Sequence, residues 1–160
     1  MKKMLAMALV ISTLLLTGCA THLNTFKLHD TVDNISSIEI YYINPSYEKY
    51  IFDIDESFEP IKIVGPELYT EIANDLEMLV YKDVVPIFIP SDPNFDLFGF
   101  VIKVKYMSNV YQLVSNSGTV YTYDDSGWVD DFYGCVEQET WNELIIKYIG
   151  QETFNIYHED

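Results

Sequence analysis

Strict alternation of apolar and polar side chains opens at residues 35–43, where Ile38, Ile40 and Tyr42 fall on one side and Glu39 and Tyr41 on the other. A period of two predicts a half-buried strand. Asn44-Pro45-Ser46 turns it, a second short strand is expected over 49–54, and a third over 60–64 before Gly65-Pro66. The period then changes: Pro66 stands where a first helical residue is favoured, Glu67 and Glu71 suit the positive first turn, and Leu68, Ile72, Leu76 and Leu79 recur at helical spacing, predicting a helix up to Lys82. Residues 84–89 are apolar but carry Pro86 and end at Pro90, which predicts an irregular or edge strand followed by a loop over 91–96.

From Phe98 alternation returns, with Phe100, Ile102, Val104 and Tyr106 on one face and Val101, Lys103 and Lys105 on the other. Turn signals at 107–109, 115–118 and 124–127 separate this strand from three more, over 110–114, 119–123 and 128–135. Four consecutive strands with tight connections make an antiparallel meander. A last helix is expected over 137–149, with Trp141, Leu144, Ile145 and Tyr148 on one side, Thr140 and Glu143 as a capping box, and Gly150 as the stop. These elements predict a two-layer α+β domain over 35–150, an antiparallel sheet with two amphipathic helices packed on one face. The polar stretch 19–34 reads as a flexible tether and 151–160 as a C-terminal tail.

The amino end is a different kind of segment. Lys2 and Lys3 precede a 12-residue apolar run, Leu5 to Leu16, and then Thr17 and Gly18 lead into Cys19. That order is the order of an export signal. The run is too short to span a bilayer, which takes roughly 20 residues of helix. Leu16-Thr17-Gly18-Cys19 closely resembles the lipobox of bacterial lipoproteins, in which the cysteine thiol receives diacylglycerol before a peptidase cuts in front of it. The resemblance covers about an eighth of the chain, and no domain family is recognised beyond it. It implies a signal peptide over 1–18, lipid attachment at Cys19, and an extracytoplasmic protein held on the cell membrane by acyl chains such as palmitate, each CH₂ contributing about 0.8 kcal/mol. Ala20 stands where an Asp would resemble an inner-membrane retention signal, which leaves an outer-membrane location open in a host that has one.

Removal of residues 1–18 takes two lysines and no acid, leaving 25 carboxylates against seven lysines and a net charge of −18. The chain has no arginine. Both facts disfavour nucleic acid, whose phosphates are repelled by carboxylates and bound by guanidinium forks. Acidity on this scale also repels an anionic lipid surface, which leaves the acyl anchor as the expected membrane contact. Once Cys19 is acylated Cys135 is the remaining cysteine, expected as a small buried hydrophobe.

No nucleophile elbow, Walker, dinucleotide or zinc-protease pattern is present, and the three histidines, His22, His29 and His158, lie in the flanking segments. No cofactor is implied. Asp92, Asn94 and Asp96 have the alternate spacing that opens a calcium loop, but Leu97 and Lys103 stand where that loop needs Gly and Glu, so solvated turns compete with a metal site. Acids at 53–56 and at 124–131 are weaker variants of the same idea. Tyr111, Tyr121 and Tyr123 fall on neighbouring strands, where register could gather them into an aromatic platform for a protein or glycan, against the competing reading that tyrosine is simply a good β-former.

Taken together the residues predict a non-enzymatic binding or accessory module that contacts an envelope protein or polymer. The alternative is a lipoprotein binding a small ligand or divalent cation, and a carboxylate-pair hydrolase is retained only if two buried acids converge in space.

Overall fold

The computed structural model describes residues 23–44, 54, 58–82, 99–116, 120–124, 127–132 and 135–158, and gives the backbone alone for 120–124, 127–132 and 158. Among the described residues eight strands and three α-helices form an α+β domain: β1 (Leu23–Thr25), β2 (Ile35–Ile43), β3 (Lys62–Ile63), α1 (Tyr69–Glu77), β4 (Val80–Lys82), β5 (Gly99–Tyr106), β6 (Tyr111–Ser115), β7 (Val120–Asp124), β8 (Gly127–Phe132), α2 (Gln138–Ile149) and α3 (Gln151–His158). The main antiparallel sheet has the order β3-β2-β5-β6-β7-β8, so the C-terminal four-strand meander is present. A separate two-stranded ribbon pairs β1 with β4.

Parity along β2 and β5 decides where the core lies. Ile38 stands opposite Val104 and Ile40 opposite Ile102, and all four side chains are fully buried under the helices with Val114, Ile72, Leu76, Trp141 and Ile145. Burial of each such aliphatic side chain contributes about 1.5–3 kcal/mol. A one-residue slip of β2 would turn this whole set outward.

Several elements depart from the sequence expectation. Helix α1 ends at Glu77, where the Met78 N–H caps it on the Asn74 carbonyl, and residues 80–82, expected to be helical, are strand β4. Val80 and Tyr81 are good β-formers, and β1 supplies a partner that no local pattern could announce. Helix α2 starts with Glu137 as its cap residue, so Thr140 and Glu143 lie inside its first turns, exposed, and make no capping box. Gln138 instead bonds Asn142 at 2.8 Å and accepts from Asn116 at 2.6 Å. Cys135, expected buried, is exposed in an isolated bridge to Lys82. The strand expected over 49–54 and the segment 84–96 lie outside the described residues, apart from Ile54.

The segment read as a tether is part of the domain from Leu23 onward. Phe26 is buried in the main core. Gln112, itself buried on the helix side of β6, donates to the Lys27 carbonyl at 2.9 Å and accepts from the His29 N–H at 3.0 Å and from the Tyr106 hydroxyl at 2.5 Å. The His29 ring meets Tyr106 edge-on at 5.6 Å between centroids. Burial, opposed by the donated His29 amide and reinforced by nearby Asp30, pushes the Tyr106 hydroxyl up to about 12.

The segment read as a tail is helix α3. Gly150, at φ +85° and ψ 152°, breaks the helical run in a backbone region open to glycine alone, and the chain restarts as a second helix that brings Phe154 flat onto Phe100 (centroids 5.1 Å apart) and Tyr157 against Tyr42. Lys147 and Tyr148 of α2 both reach Asp75 of α1 at 2.6 Å, tying the two helices.

Three stability outcomes are expected from these contacts. A Cβ at position 150 meets nothing within 4 Å, so Gly150→Ala costs backbone strain only, about 1–3 kcal/mol, while Phe154→Ala costs about 3–5 kcal/mol, both read from urea unfolding. Gln112→Leu leaves the Lys27 carbonyl and His29 amide without their partner and costs about 1–3 kcal/mol, with faster amide hydrogen exchange concentrated in residues 23–29.

Candidate functional site

With the helices on one side, the alternate residues of the same strands define the other face. Antiparallel register lays them out in rows. Ser37 of β2 stands opposite Lys105 of β5, which stands opposite Tyr111 of β6 and then Tyr123 of β7. The next row runs Glu39, Lys103, Leu113, Tyr121. The three tyrosines singled out in the sequence therefore share this helix-free face by register, Tyr111 and Tyr123 as direct cross-strand partners.

This face is not a bare platform. Tyr41, Ile43, Val101 and Leu113 are buried on it beneath Ile54 and Phe58, a second, smaller core. Beside that core lies a recess of about 440 Å³ lined by Tyr41, Phe58, Lys103, Lys105, Asn109 and Tyr111 among others. Its volume falls in the range of small-ligand clefts, roughly 300–1,000 Å³.

Its chemistry centres on two lysines and one acid. Lys103 is buried, donates to the Ile54 carbonyl at 2.5 Å, and holds its ammonium 4.2 Å from the centre of the Tyr111 ring. A buried ammonium is tolerated only when hydrogen-bonded, and an aromatic face adds about 0.5–2 kcal/mol. Lys105 keeps 39% of its side chain exposed and pairs with Glu39 at 2.9 Å. Glu39 also accepts from Ser37 at 3.0 Å and from the Tyr41 hydroxyl. Burial acts to raise the Glu39 carboxyl, but the bonds from Tyr41, Lys105 and Ser37 outweigh it and hold the group below its ordinary value. Burial, and then the Glu39 acceptor, pushes the Tyr41 hydroxyl upward. Among the described residues the lining of the recess brings Lys103 and Lys105 together, basic side chains suited to an anionic group in a chain of net charge −16.

What converges here is one carboxylate, Glu39, with the Ser37 and Tyr41 hydroxyls and the Lys105 ammonium. Among the described residues Glu39 is the single buried carboxylate, so the converging buried acids of a carboxylate hydrolase are not assembled there. Among those residues no cluster of His, Cys, Asp or Glu is placed to hold a metal ion. Asp92, Asn94 and Asp96 lie outside them, as do Asp53, Asp55 and Glu56, while Asp124, Asp130 and Asp131 are described by backbone only. Sequence reasoning put Lys103 and Lys105 on the polar face of their strand but passed over them as site residues. The available signal is two of the chain's nine lysines at adjacent same-face positions of one strand.

The low-lying Glu39 carboxyl makes a directional pH prediction. A folded-state value below the ordinary 4.5 contributes stability in full above that pH, and the contribution fades as pH falls through the folded value. Glu39→Gln is therefore expected to lower the melting temperature at pH 7, with the gap from the parent closing below pH 4; melts at a series of pH values check it. Comparison with known proteins finds no family model, no curated protein and no solved structure that matches this chain.

Proposed function

We propose that this is an extracytoplasmic lipoprotein, anchored through Cys19, that acts as a non-enzymatic binding or accessory module through its helix-free sheet face. The observation that carries the binding reading is the recess beside Tyr111, where Lys103 and Lys105 line an aromatic-walled pocket in an otherwise acidic chain. A partner protein or envelope polymer that offers a carboxylate or similar anionic group to Lys105, and an apolar or sugar surface to the tyrosine row, matches that chemistry. The volume of the recess favours a second reading in the same place, a free small anionic ligand rather than a divalent cation, because a cation would meet two ammonium groups. No helix among the described residues is long and apolar enough to cross a membrane, so the anchor in this reading is the lipid on Cys19.

Two measurements test it. Metabolic labelling with a palmitate analogue should mark the wild-type chain and not Cys19→Ala; an unlabelled wild type sinks the lipoprotein reading. A photo-crosslinking residue at position 111 of the full lipoprotein in cells should capture a discrete protein or polymer, with capture reduced about tenfold by Lys105→Glu, as expected for loss of an ion pair at an interface. Labelled protein that captures nothing, and whose melting temperature no small organic anion raises, rejects the binding role of this face.

A further inference from the structure

We infer that the outer face of the β1–β4 ribbon is seated on the lipid headgroups of the membrane that holds Cys19, so that the domain has one fixed orientation with the Lys103/Lys105 recess turned away from the bilayer. The inference rests on the lipoprotein reading of Cys19 and adds to it a surface and a direction.

Chain length makes the first argument. Four residue steps separate Cys19 from Leu23, the first residue of β1, and at about 3.6 Å per residue they reach at most about 14 Å. A domain of this size is roughly 35 Å across. It cannot stand clear of the surface or turn freely above it, and the ribbon is the part that is held closest. The Gln112 clamp on Lys27 and His29, with Phe26 in the core, keeps β1 from peeling away to lengthen the tether.

The composition of the ribbon's outer face makes the second. Tyr81 points inward and is fully buried, while Leu23 (61% exposed), Val80 (44% exposed), Thr25 and Lys82 face outward, with Met78 (78% exposed) just ahead of β4 and Lys27 exposed just after β1. Leu23 pairs with Lys82, which pairs in turn with exposed Cys135, so these three share one row. Exposed aliphatic side chains flanked by lysines are the composition of a surface that enters the headgroup layer. The charge distribution agrees: the chain's first carboxylate is Asp30, and none lies in residues 19–29 or 78–82. Repulsion between the acidic body and anionic headgroups then favours the same pose, with the carboxylate-free ribbon down and the acids away.

Topology supplies the direction. Phe26 and Tyr81 join the core on the helix side of the main sheet, whereas the recess opens on its other side. A ribbon lying on the bilayer leaves the recess facing the envelope space.

The test uses the full lipidated protein in vesicles of phosphatidylcholine and phosphatidylglycerol that carry a headgroup nitroxide quencher. Once Cys19 is acylated Cys135 is the one thiol left, so a fluorophore placed there reports on the ribbon face. The comparison is Cys135→Ser with Ile63→Cys, since Ile63 is 62% exposed and pairs with Glu39 on the recess face. The expected result is quenching at Cys135 several-fold above that at position 63, reduced to the position-63 level by Leu23→Glu with Val80→Glu, or by the milder Leu23→Ser with Val80→Ser, in variants that keep the parent circular dichroism. Equal quenching at both positions, or a Cys135 signal that ignores both ribbon variants, overturns the seated orientation while vesicle co-flotation keeps the lipid anchor intact. Failure of the wild type to label with palmitate and to float with vesicles overturns the anchor, and the orientation with it.

Discussion

Everything in this domain is referred to the antiparallel pairing of β2 with β5. Eight register pairs lock Ile35–Ile43 against Gly99–Tyr106 at the middle of the sheet, and each strand is buried on both faces. One parity, Ile38, Ile40, Ile102 and Val104, is the floor on which all the helices rest. The other, Glu39, Tyr41, Val101 and Lys103, is both the smaller core and the wall of the recess. A slip of one residue would expose side chains together contributing roughly 6–12 kcal/mol, comparable to the whole stability of a typical domain, so the register that builds the core also dictates which polar groups meet on the far side.

That coupling explains why polar residues are buried at all. Glu39 lies directly opposite Lys103 and one step along from Lys105, and it pairs with the second of these while Lys103 turns to the Ile54 carbonyl and the Tyr111 ring. A half-buried ion pair of this kind adds little net stability compared with well-packed apolar residues. The proposed anionic partner would account for its presence where aliphatic residues would pack as well.

Charge segregates along the chain as well as across the sheet. The β1–β4 ribbon carries Lys82 and no acid, and every carboxylate behind the −16 of the whole chain lies at Asp30 or beyond it. In the proposed orientation the short reach from Cys19, the ribbon without carboxylates and the recess on the other side of the sheet form one consistent arrangement.

Elements whose signal is local can be read from the chain without its fold. The parity of β2 and β5, the four strands of the meander and the helix closed by Gly150 are each legible because a period of two or of 3.6 needs only neighbouring residues. The remaining features exist only because distant segments meet. Residues 80–82 continue a helical pattern and become strand because β1 lies alongside them, and residues 23–34 look like tether until Gln112 and the core claim them. Residues 151–158 look like tail until Phe154 finds Phe100. The recess has the same origin: Glu39 and Lys105 are 66 residues apart in the chain and 2.9 Å apart in space, and contact at that separation depends on strand order and register, which no local period encodes.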